Sequence, residues 1–336
     1  MSSTNMQRGE LERLVARALV ASSTSAENAA AVARALVAAE IDGQKGHGLS
    51  RVAAYAAQAR SGKVDGRAKP ELHATRAASV MIDVAHGFAY PAFELATARL
   101  PGIAGNTGIA AAGFTRSHHA GALGLVVERI AEAEMMGLMV SNSPQAMAAW
   151  GGKRGLFGTN PIAFAAPRPG RPPLVIDLAL SQVARGKIMT AAQKGEPIPE
   201  GWAVDADGHP TTDAVAALKG TLVPIGGPKG AALALMVEIL SAALTGANLA
   251  FQASSFFEAE GAPPGIGQLL LVIDQQAFGG DAVAERLELL AAEIEADGGA
   301  RLPGTRRLHL REAAARDGVP VDDAMIAQIG KIAGGG

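Results

Sequence analysis

One of the seven histidines in this chain lies in a setting suited to acid–base chemistry. His47 lies between two glycines in the segment GHGLSR, and Arg51 follows about one helical turn later. A histidine can give or take a proton near neutral pH, and an arginine can bind a carboxylate through two parallel hydrogen bonds. The segment therefore predicts a proton donor beside a carboxylate-binding cation, or alternatively a helix-capping turn with a surface arginine.

A second histidine motif, Ser117-His118-His119-Ala120-Gly121, follows the strand-like run GIAAAGF. We expect a helix to begin after it, and a helix start offers free backbone N–H groups to an anion such as phosphate. An ordinary structural turn is an equally good interpretation. A metal site is not predicted, because adjacent histidine side chains diverge and no acidic ligand lies nearby in the sequence.

Two polar turns could also contact a ligand. In FGTNP, Thr159 and Asn160 precede a proline, which favours a rigid turn with two displayed side chains. In the next motif a strand-like run ends at Asp177, and the segment ARGK, which includes Arg185 and Lys187, follows it. These cations suit an anionic ligand, although a solvated basic turn is as common.

Two further basic segments suggest phosphate binding. The segment GGPKG stands directly before a long apolar stretch, so Lys229 would lie at the positive end of a helix. Because a cation is unfavourable there without an anion, a bound phosphate is the better interpretation. In PGTRR, Arg306 and Arg307 could bind a 2′-phosphate, or could form a solvated surface.

Composition excludes several classes of protein. The 49% of hydrophobic residues excludes disorder, and the absence of cysteine excludes disulfides and thiolate chemistry. A net charge of −2 and 4% aromatic residues give no indication of nucleic-acid binding. The segments GHGLSR and GIGQLL lack the third glycine of the dinucleotide fingerprint, so a Rossmann fold is not predicted.

The first residues do not resemble a signal peptide, because charged residues interrupt the apolar positions from Met1 to Ala21. A later stretch, Ala231 to Ala250, is apolar enough to resemble a membrane span. It contains Glu238 near its middle, and we interpret it as a buried helix of a large core. We therefore expect a soluble, cytoplasmic protein without a membrane partner.

The elements that would position these motifs form an irregular α/β pattern. Residues 8–41 predict two helices, the second beginning with a Thr24–Glu27 capping box and ending at Asp42-Gly43. Short strand-like runs follow from Ser79 onwards, with a helix predicted at Ala122–Met136. Residues 187–220 are turn-rich, LLLVID (269–274) predicts a strand, and an amphipathic helix is expected at about 281–297. We expect a helical N-terminal region (1–75), joined by 308–336, and an α/β region (76–307) that could divide near 115–220.

Taken in order, these motifs resemble the type-2 malate/L-lactate dehydrogenase family. The resemblance is carried by GHGLSR with Tyr55, SHHAG, GTNP, IDLALSQVARGK, PEGWAVDADGHPTTD and PIGGPKG. The family also includes ureidoglycolate and sulfolactate dehydrogenases and the Δ1-piperideine-2-carboxylate/Δ1-pyrroline-2-carboxylate reductases. The resemblance implies an NAD(P)-dependent oxidoreductase, usually a homodimer, with a non-Rossmann fold and a mixed, largely antiparallel sheet.

The same resemblance assigns roles to individual residues. It implies that His47 gives the proton and that Lys187 completes a polar relay. Substrate contacts fall on Arg51, Thr159, Arg185 and Gly186. Cofactor contacts fall on His119, Ala120, Gly121, Ala122, Leu123, Asp177, Leu178, Ala179, Pro228, Lys229, Pro303, Gly304, Arg306 and Arg307. The paired arginines favour NADP, with NAD as the alternative, and no metal is implied.

Two positions depart from the family pattern. Gly46 stands where a serine commonly precedes the catalytic histidine, so Ser50, Lys187 or a water would have to take its place. Pro228 stands where a histidine is frequent. The segment IDVAHGFAYPA (82–92) and the doubled histidine look most like the cyclic imino-acid reductases, which predicts reduction of Δ1-pyrroline-2-carboxylate or Δ1-piperideine-2-carboxylate. The alternatives are an L-2-hydroxyacid dehydrogenase of the malate/lactate type and, more remotely, a non-catalytic dinucleotide-binding protein.

Overall fold

The computed structural model describes residues 2–334. Its helices are α1 (Arg8–Val20), α2 (Ala26–Ile41), α3 (Val52–Ser61), α4 (Ala89–Thr107), α5 (Gly124–Glu132), α6 (Arg185–Lys194), α7 (Ala214–Lys219), α8 (Pro228–Glu238), α9 (Ala282–Ala296), α10 (Thr305–Asp317) and α11 (Asp323–Ala333). Two 3-10 turns, Lys45–His47 and Leu49–Arg51, precede α3, and a π-helical turn, Ile239–Ala243, follows α8.

The strands are β1 (Ser3–Met6), β2 (Glu71–Arg76), β3 (Ser79–Asp83), β4 (Ile109–Ser117), β5 (Met136–Ser141), β6 (Met147–Ala148), β7 (Gly155–Phe157), β8 (Ile162–Arg168), β9 (Arg171–Leu178), β10 (Ala203–Val204), β11 (Pro210–Thr211), β12 (Thr221–Leu222), β13 (Ile266–Ile273) and β14 (Val319–Asp322). Met1, Gly335 and Gly336, which the predicted terminal regions include, lie outside the described residues.

A seven-stranded sheet forms the centre of the molecule, in the order β2-β3-β4-β13-β5-β8-β9. Only the β3–β4 pair is parallel, and every other neighbouring pair of this sheet is antiparallel. The central strand β13 is apolar at nearly every position and buried on both faces, as expected for a strand covered on both sides. The predicted non-Rossmann, largely antiparallel fold is confirmed.

A smaller five-stranded sheet, ordered β11-β10-β12-β6-β7, has its own apolar cluster, which includes Met147, Ile188 and Leu222. The turn containing Thr159 connects its strand β7 to β8 of the large sheet. A third, two-stranded sheet pairs β1 antiparallel with β14 and so joins the N- and C-terminal segments. The domain division given above stays a prediction.

Local expectations differ from the structure in several places. Ser25, not Thr24, caps α2, because its hydroxyl accepts a hydrogen bond from the Asn28 amide. Gly43 has a φ of 75°, as expected for a glycine that follows a helix end. The predicted helix at 122–136 ends at Glu132, since Met136 already begins β5. The turn-rich stretch 187–220 contains most of α6 and all of α7.

The apolar stretch at 231–250 is not the fully buried helix that its composition predicts. One side of α8 and of the following turn is exposed, with Leu233, Met236, Ile239 and Leu244 between 40% and 63% accessible. The opposite side, which includes Glu238, packs into the interior. Within residues 2–334, no helix combines the length and apolarity that crossing a membrane requires.

Candidate active site

The two 3-10 turns between α2 and α3 position His47 and Arg51. Gly48 lies so close to α2 that a Cβ there would come within 3.0 Å of the Glu40 backbone. The turns are also closed by side chains, because Ser50 Oγ donates to Lys45 O at 2.6 Å and Arg51 Nε donates to Gly46 O at 2.7 Å. A short segment between two helices therefore fixes both candidate residues.

His47 packs against His119, which comes from the loop after β4. Their rings are stacked with centroids 5.2 Å apart and an angle of 16° between the planes. Behind this pair, the hydroxyl of Tyr55 lies 2.6 Å from His119 Nδ1 and 3.1 Å from the hydroxyl of Tyr90. We refer to His47, Arg51, Tyr55, Tyr90 and His119 as the histidine cluster.

Burial controls the charges in the histidine cluster. Burial and the nearby charge of Arg51 lower the pKa of His47 to about 4. Burial also holds the pKa of His119 well below its ordinary value and raises the pKa of Tyr90 to about 12. At neutral pH both histidines are consequently neutral and both phenols protonated, so Tyr55 can donate to His119 Nδ1 and leave the imidazole proton on Nε2.

Two polar atoms of the cluster lack a protein partner. His47 Nδ1 and Arg51 Nη1 are buried, and neither forms a hydrogen bond within residues 2–334. Arg51 also lies over the ring of Phe257, with Cζ 4.8 Å from the ring centroid. Because a buried polar group without a partner costs free energy, these two atoms are candidates for hydrogen bonds to a polar ligand.

The residues suggested as replacements for the missing serine do not contact His47 here. Ser50 Oγ donates to Lys45 O within its own turn and forms no hydrogen bond with His47 in the described residues. Lys187 is exposed, with its ammonium 5.9 Å from the centroid of the Trp202 ring. No hydrogen bond joins Lys187 to His47 in the described chain, and its relay role stays a prediction.

The other predicted substrate residues lie around the smaller sheet. The Thr159 amide donates to Ser143 Oγ at 3.0 Å, and Arg185, the first residue of α6, donates to Leu218 O at 2.9 Å. Gly186 follows in α6, with open space at its Cβ position. Within residues 2–334, no hydrogen bond or ion pair connects this group to His47 or Arg51, so its substrate contacts stay predictions.

Glu238 supports the Thr159 turn from inside the protein. Asn160, with a φ of 41°, donates to Glu238 Oε2 at 2.9 Å, and Asn142 and the Ala250 amide donate to Oε1. The buried Glu238 carboxylate accepts all three hydrogen bonds and thereby holds the Thr159 turn against α8. Sequence reasoning had used Glu238 only as an argument against a membrane span.

The start of α5 does not match the phosphate site predicted after His119. The carboxylate of Asp177 accepts a hydrogen bond from the Gly124 amide at 2.9 Å and occupies this helix start. A phosphate would meet the Asp177 charge there, which argues against a phosphate at this helix start, and the cofactor contacts of His119 to Leu123 stay predictions. A carboxylate in this place instead suits a ribose hydroxyl, which can donate to it.

The start of α8 fits a phosphate better. Lys229 is exposed in the first turn, and Gly226 and Gly227 before it have φ values of 59° and 63°. A Cβ on Gly226 would meet nothing within 4 Å, which leaves room in front of the helix amides. The residues present at this helix start therefore fit the diphosphate of a dinucleotide.

The two arginines of PGTRR, at the start of α10, have different environments. Arg307 is buried, with nitrogen atoms 3.3 Å from Glu128 and 3.7 Å from Asp42, and Arg311 pairs with the same two carboxylates. Arg306 is exposed beside Gly43. Arg307 is thus not a solvated surface group. The phosphate contacts of Arg306 and Arg307 stay predictions.

Comparison with known proteins identifies the family. Residues 6–330 match the model of the malate/L-lactate dehydrogenase family. The chain belongs to the malate/L-lactate dehydrogenase family. As a member it is an oxidoreductase, and the motif resemblance described above is confirmed.

Individual relatives of this family have different substrates in their names. The chain is 52% identical over 305 residues to a (2R)-3-sulfolactate dehydrogenase (NADP(+)) of Chromohalobacter salexigens, covering 90% of each chain. It is 40% identical over 322 residues to a Δ1-pyrroline-2-carboxylate/Δ1-piperideine-2-carboxylate reductase of Pseudomonas aeruginosa, covering 95% of this chain and 96% of that one. The structure superposes on a Δ1-piperideine-2-carboxylate reductase of Pseudomonas syringae with a TM-score of 0.93 and 39% identity, over 98% of this chain and 99% of that one.

Sequence reasoning on this dehydrogenase-family chain missed several residues of the site. Tyr90, Phe256 and Phe257 received no role, and Tyr55 was noted only as part of a motif. The sequence does offer a signal for the tyrosines, because the chain contains only two of them. In the structure, these two residues contact each other beside His119. No local pattern indicated the phenylalanines, which lie about 200 residues after His47 in an irregular segment.

Proposed function

We propose that the protein is an NADP-dependent reductase of small cyclic 2-imino acids, forming L-proline or L-pipecolate. The observation that carries the proposal is the pairing of Arg51 with the Phe257 ring beside His47. One guanidinium with an unpartnered buried nitrogen suits one carboxylate, and an adjacent aromatic ring suits an apolar substrate ring. The relatives at about 40% identity with this activity in their names support it.

The reaction requires a hydride at C2, a proton at the imine nitrogen and compensation of the carboxylate charge. When bound, the nicotinamide ring supplies the hydride. Arg51 binds the carboxylate and orients the substrate, and His47 delivers the proton to nitrogen as the C=N bond becomes a C–N bond. His119 supports the His47 ring from behind, held in turn by Tyr55.

The depressed pKa of His47 gives the reaction a characteristic pH dependence. A proton donor must be protonated, so kcat/KM for reduction falls as pH rises above about 4, the pKa of the free protein. Burial is the larger cause of the lowered pKa, and the Arg51 charge is the smaller one. A bound carboxylate cancels the Arg51 charge and so raises the pKa of His47 in the complex. We expect the kcat profile to fall at a higher pH than the kcat/KM profile, measured by initial rates. Coincident profiles would contradict this coupling.

NADP is the proposed cofactor, and Arg306 is the residue we expect to distinguish it from NAD. Arg306 is exposed, whereas the Arg307 guanidinium is occupied by Glu128 and Asp42. Arg306→Ala should raise the KM for NADPH about tenfold, as for one lost charge-assisted hydrogen bond of about 1.5 kcal/mol. The KM for NADH should not change. Equal effects on both cofactors would remove the 2′-phosphate role from Arg306.

A second candidate is oxidation of a 2-hydroxy acid such as sulfolactate. It is favoured by the 52% identity to the sulfolactate dehydrogenase. Sulfolactate carries a sulfonate as well as a carboxylate, so its site needs a second cation. Arg185 could supply that charge if the smaller sheet region contacts the substrate, as the family resemblance implies for this residue.

A substrate panel distinguishes these functions. Purified protein is mixed with NADPH and either Δ1-pyrroline-2-carboxylate, Δ1-piperideine-2-carboxylate, pyruvate, oxaloacetate or sulfopyruvate, and NADPH absorbance is followed. The proposal expects the highest kcat/KM with a cyclic imine. Turnover restricted to the 2-oxo acids would favour the hydroxyacid dehydrogenase, and NADPH binding without any turnover would indicate a non-catalytic protein.

We also propose that the protein forms a homodimer through α8. The exposed side of this helix and its π-helical continuation presents Leu233, Leu235, Met236, Ile239 and Leu244. A contiguous apolar surface of this kind is typical of a protein–protein interface. Light scattering of the purified protein measures the expected dimer mass, and a monomer at micromolar concentration would contradict it.

A further inference from the structure

An irregular segment, residues 255–259, crosses the histidine cluster and is held by side chains at the end of α3. Gln58 Nε2 donates to Phe256 O at 2.9 Å and to Glu258 O at 3.0 Å. Ser61 Oγ donates to Ala259 O at 2.6 Å. Lys63 Nζ donates to Ser255 O at 2.7 Å and to Glu258 O at 3.1 Å. The backbone of the segment is therefore fixed without belonging to a helix or strand.

Gln58 is itself oriented by His118. Both hydrogens of the Gln58 amide point to carbonyl groups, so its Oε1 accepts a hydrogen bond from His118 Nε2 at 3.0 Å. The His118 carbonyl in turn accepts from Gln268 at 3.3 Å. His118 is buried, and its ring packs against Phe88 and Phe256. It thus serves the 255–259 segment, whereas its neighbour His119 belongs to the histidine cluster.

The anchored segment places two phenylalanine rings at the cluster. Phe256 is buried and packs on His119, with ring centroids 4.9 Å apart. Phe257 lies against Arg51 and remains 44% exposed. A ring that covers one face of a guanidinium leaves the in-plane N–H groups available to a carboxylate. A substrate held by those groups must therefore lie beside the Phe257 ring.

We propose that Phe257 is a specificity-determining residue that selects substrates with an apolar ring or side chain over those with a second anionic group. Gln58 and Lys63 act as positioning residues, because they hold the segment that carries Phe257. An anionic side chain beside the ring would lose hydration without gaining a partner, whereas an apolar ring would be buried favourably. This inference rests on the proposed function, in which Arg51 binds the substrate carboxylate.

The test compares one apolar and one dianionic substrate. For Phe257→Ala, we expect the ratio of kcat/KM for Δ1-pyrroline-2-carboxylate to that for oxaloacetate to fall about tenfold or more. The Kd for NADPH, measured by fluorescence titration, should not change. Lys63→Met should lower the same ratio, also without changing the Kd for NADPH. Phe278→Ala is the matched control, since Phe278 is 66% exposed and lies outside the site.

The outcomes separate this inference from the proposed function. If the wild-type protein reduces oxo acids but not the cyclic imine, the proposed function fails, and the ratio of 2-oxobutanoate to oxaloacetate tests Phe257 instead. An unchanged ratio in a folded Phe257→Ala protein overturns this inference and leaves the proposed function intact. A loss of NADPH affinity as large as the fall in the ratio would also overturn it. Phe257→Leu, which keeps much of the apolar volume, should retain most of the selectivity and replaces the alanine variant if that variant does not fold.

Discussion

His47→Gln is expected to lower kcat for reduction by about 10²–10⁴-fold, the range contributed by a general acid. Glutamine keeps a polar side chain of similar reach but cannot deliver a proton. Because the proposed mechanism has His47 act on the reacting atom, the Kd for NADPH and the KM for the imino acid should change little by comparison. Steady-state kinetics and a fluorescence titration with NADPH measure these quantities separately.

The matched control for this variant is His73→Gln. His73 is exposed on β2, where Glu71 lies 3.7 Å away, and it has no contact with the histidine cluster in the described chain. It should leave kcat unchanged. The role of His47 would be refuted by an equal loss in both variants, or by a rise in KM with kcat intact.

Arg51→Met is expected to lower kcat/KM for the imino acid by about 10²–10³-fold, mainly through KM. Hydrogen bonds to charged groups contribute about 1.5–3 kcal/mol each, and about 1.4 kcal/mol corresponds to a factor of ten. Methionine keeps an unbranched apolar side chain and removes the guanidinium, which lies over the Phe257 ring. The variant should also shift the His47 limb of the kcat/KM profile to higher pH, because the Arg51 charge that lowers this pKa is gone.

Arg60→Met provides the control, because Arg60 lies on α3, the helix that directly follows Arg51. Arg60 lies at the other end of α3, where it donates to Ser22 Oγ at 2.8 Å, away from His47. It should leave both KM and the pH profile unchanged. An Arg51→Met protein with wild-type KM would show that another cation binds the carboxylate.

The sequence was informative where function depends on a short local pattern. Residues 46–51 form one compact turn, so the spacing of His47 and Arg51 correctly predicted neighbouring side chains. The strand-like runs also matched β3, β4, β5, β8 and β9, because buried strands carry continuous apolar residues. The family followed from the order of the motifs rather than from any one of them.

Long-range packing decided what the sequence could not. The adjacent residues His118 and His119 diverge, and only the fold shows that Tyr55 takes one and Gln58 the other. The sequence presents Arg306 and Arg307 as a pair, yet in the structure Arg307 and not Arg306 contacts the buried carboxylates of Asp42 and Glu128. Likewise, the helix start after His119 is occupied by Asp177, which comes from a strand about 50 residues later.

Gly46, which replaces the serine of the family motif, leaves the neighbouring His47 without the hydroxyl that a serine would supply. A Cβ on Gly46 would meet nothing within 4 Å, and the neighbouring His47 Nδ1 is buried without a partner in residues 2–334. The hydroxyl that a serine would bring is therefore not replaced by a protein side chain. A substrate atom or a water is left as the group that completes the hydrogen bonding of His47.

Deuterium transfer is the most direct test of the central claim that this chain reduces C2 of a cyclic imino acid. The protein is incubated with Δ1-pyrroline-2-carboxylate and NADPH that carries deuterium at both C4 positions of the nicotinamide, and the proline is examined by mass spectrometry. We expect L-proline with deuterium at C2 from the wild-type protein, and almost none from His47→Gln in the same time. Unlabelled proline, or no proline from a protein that reduces pyruvate or sulfopyruvate, would contradict it.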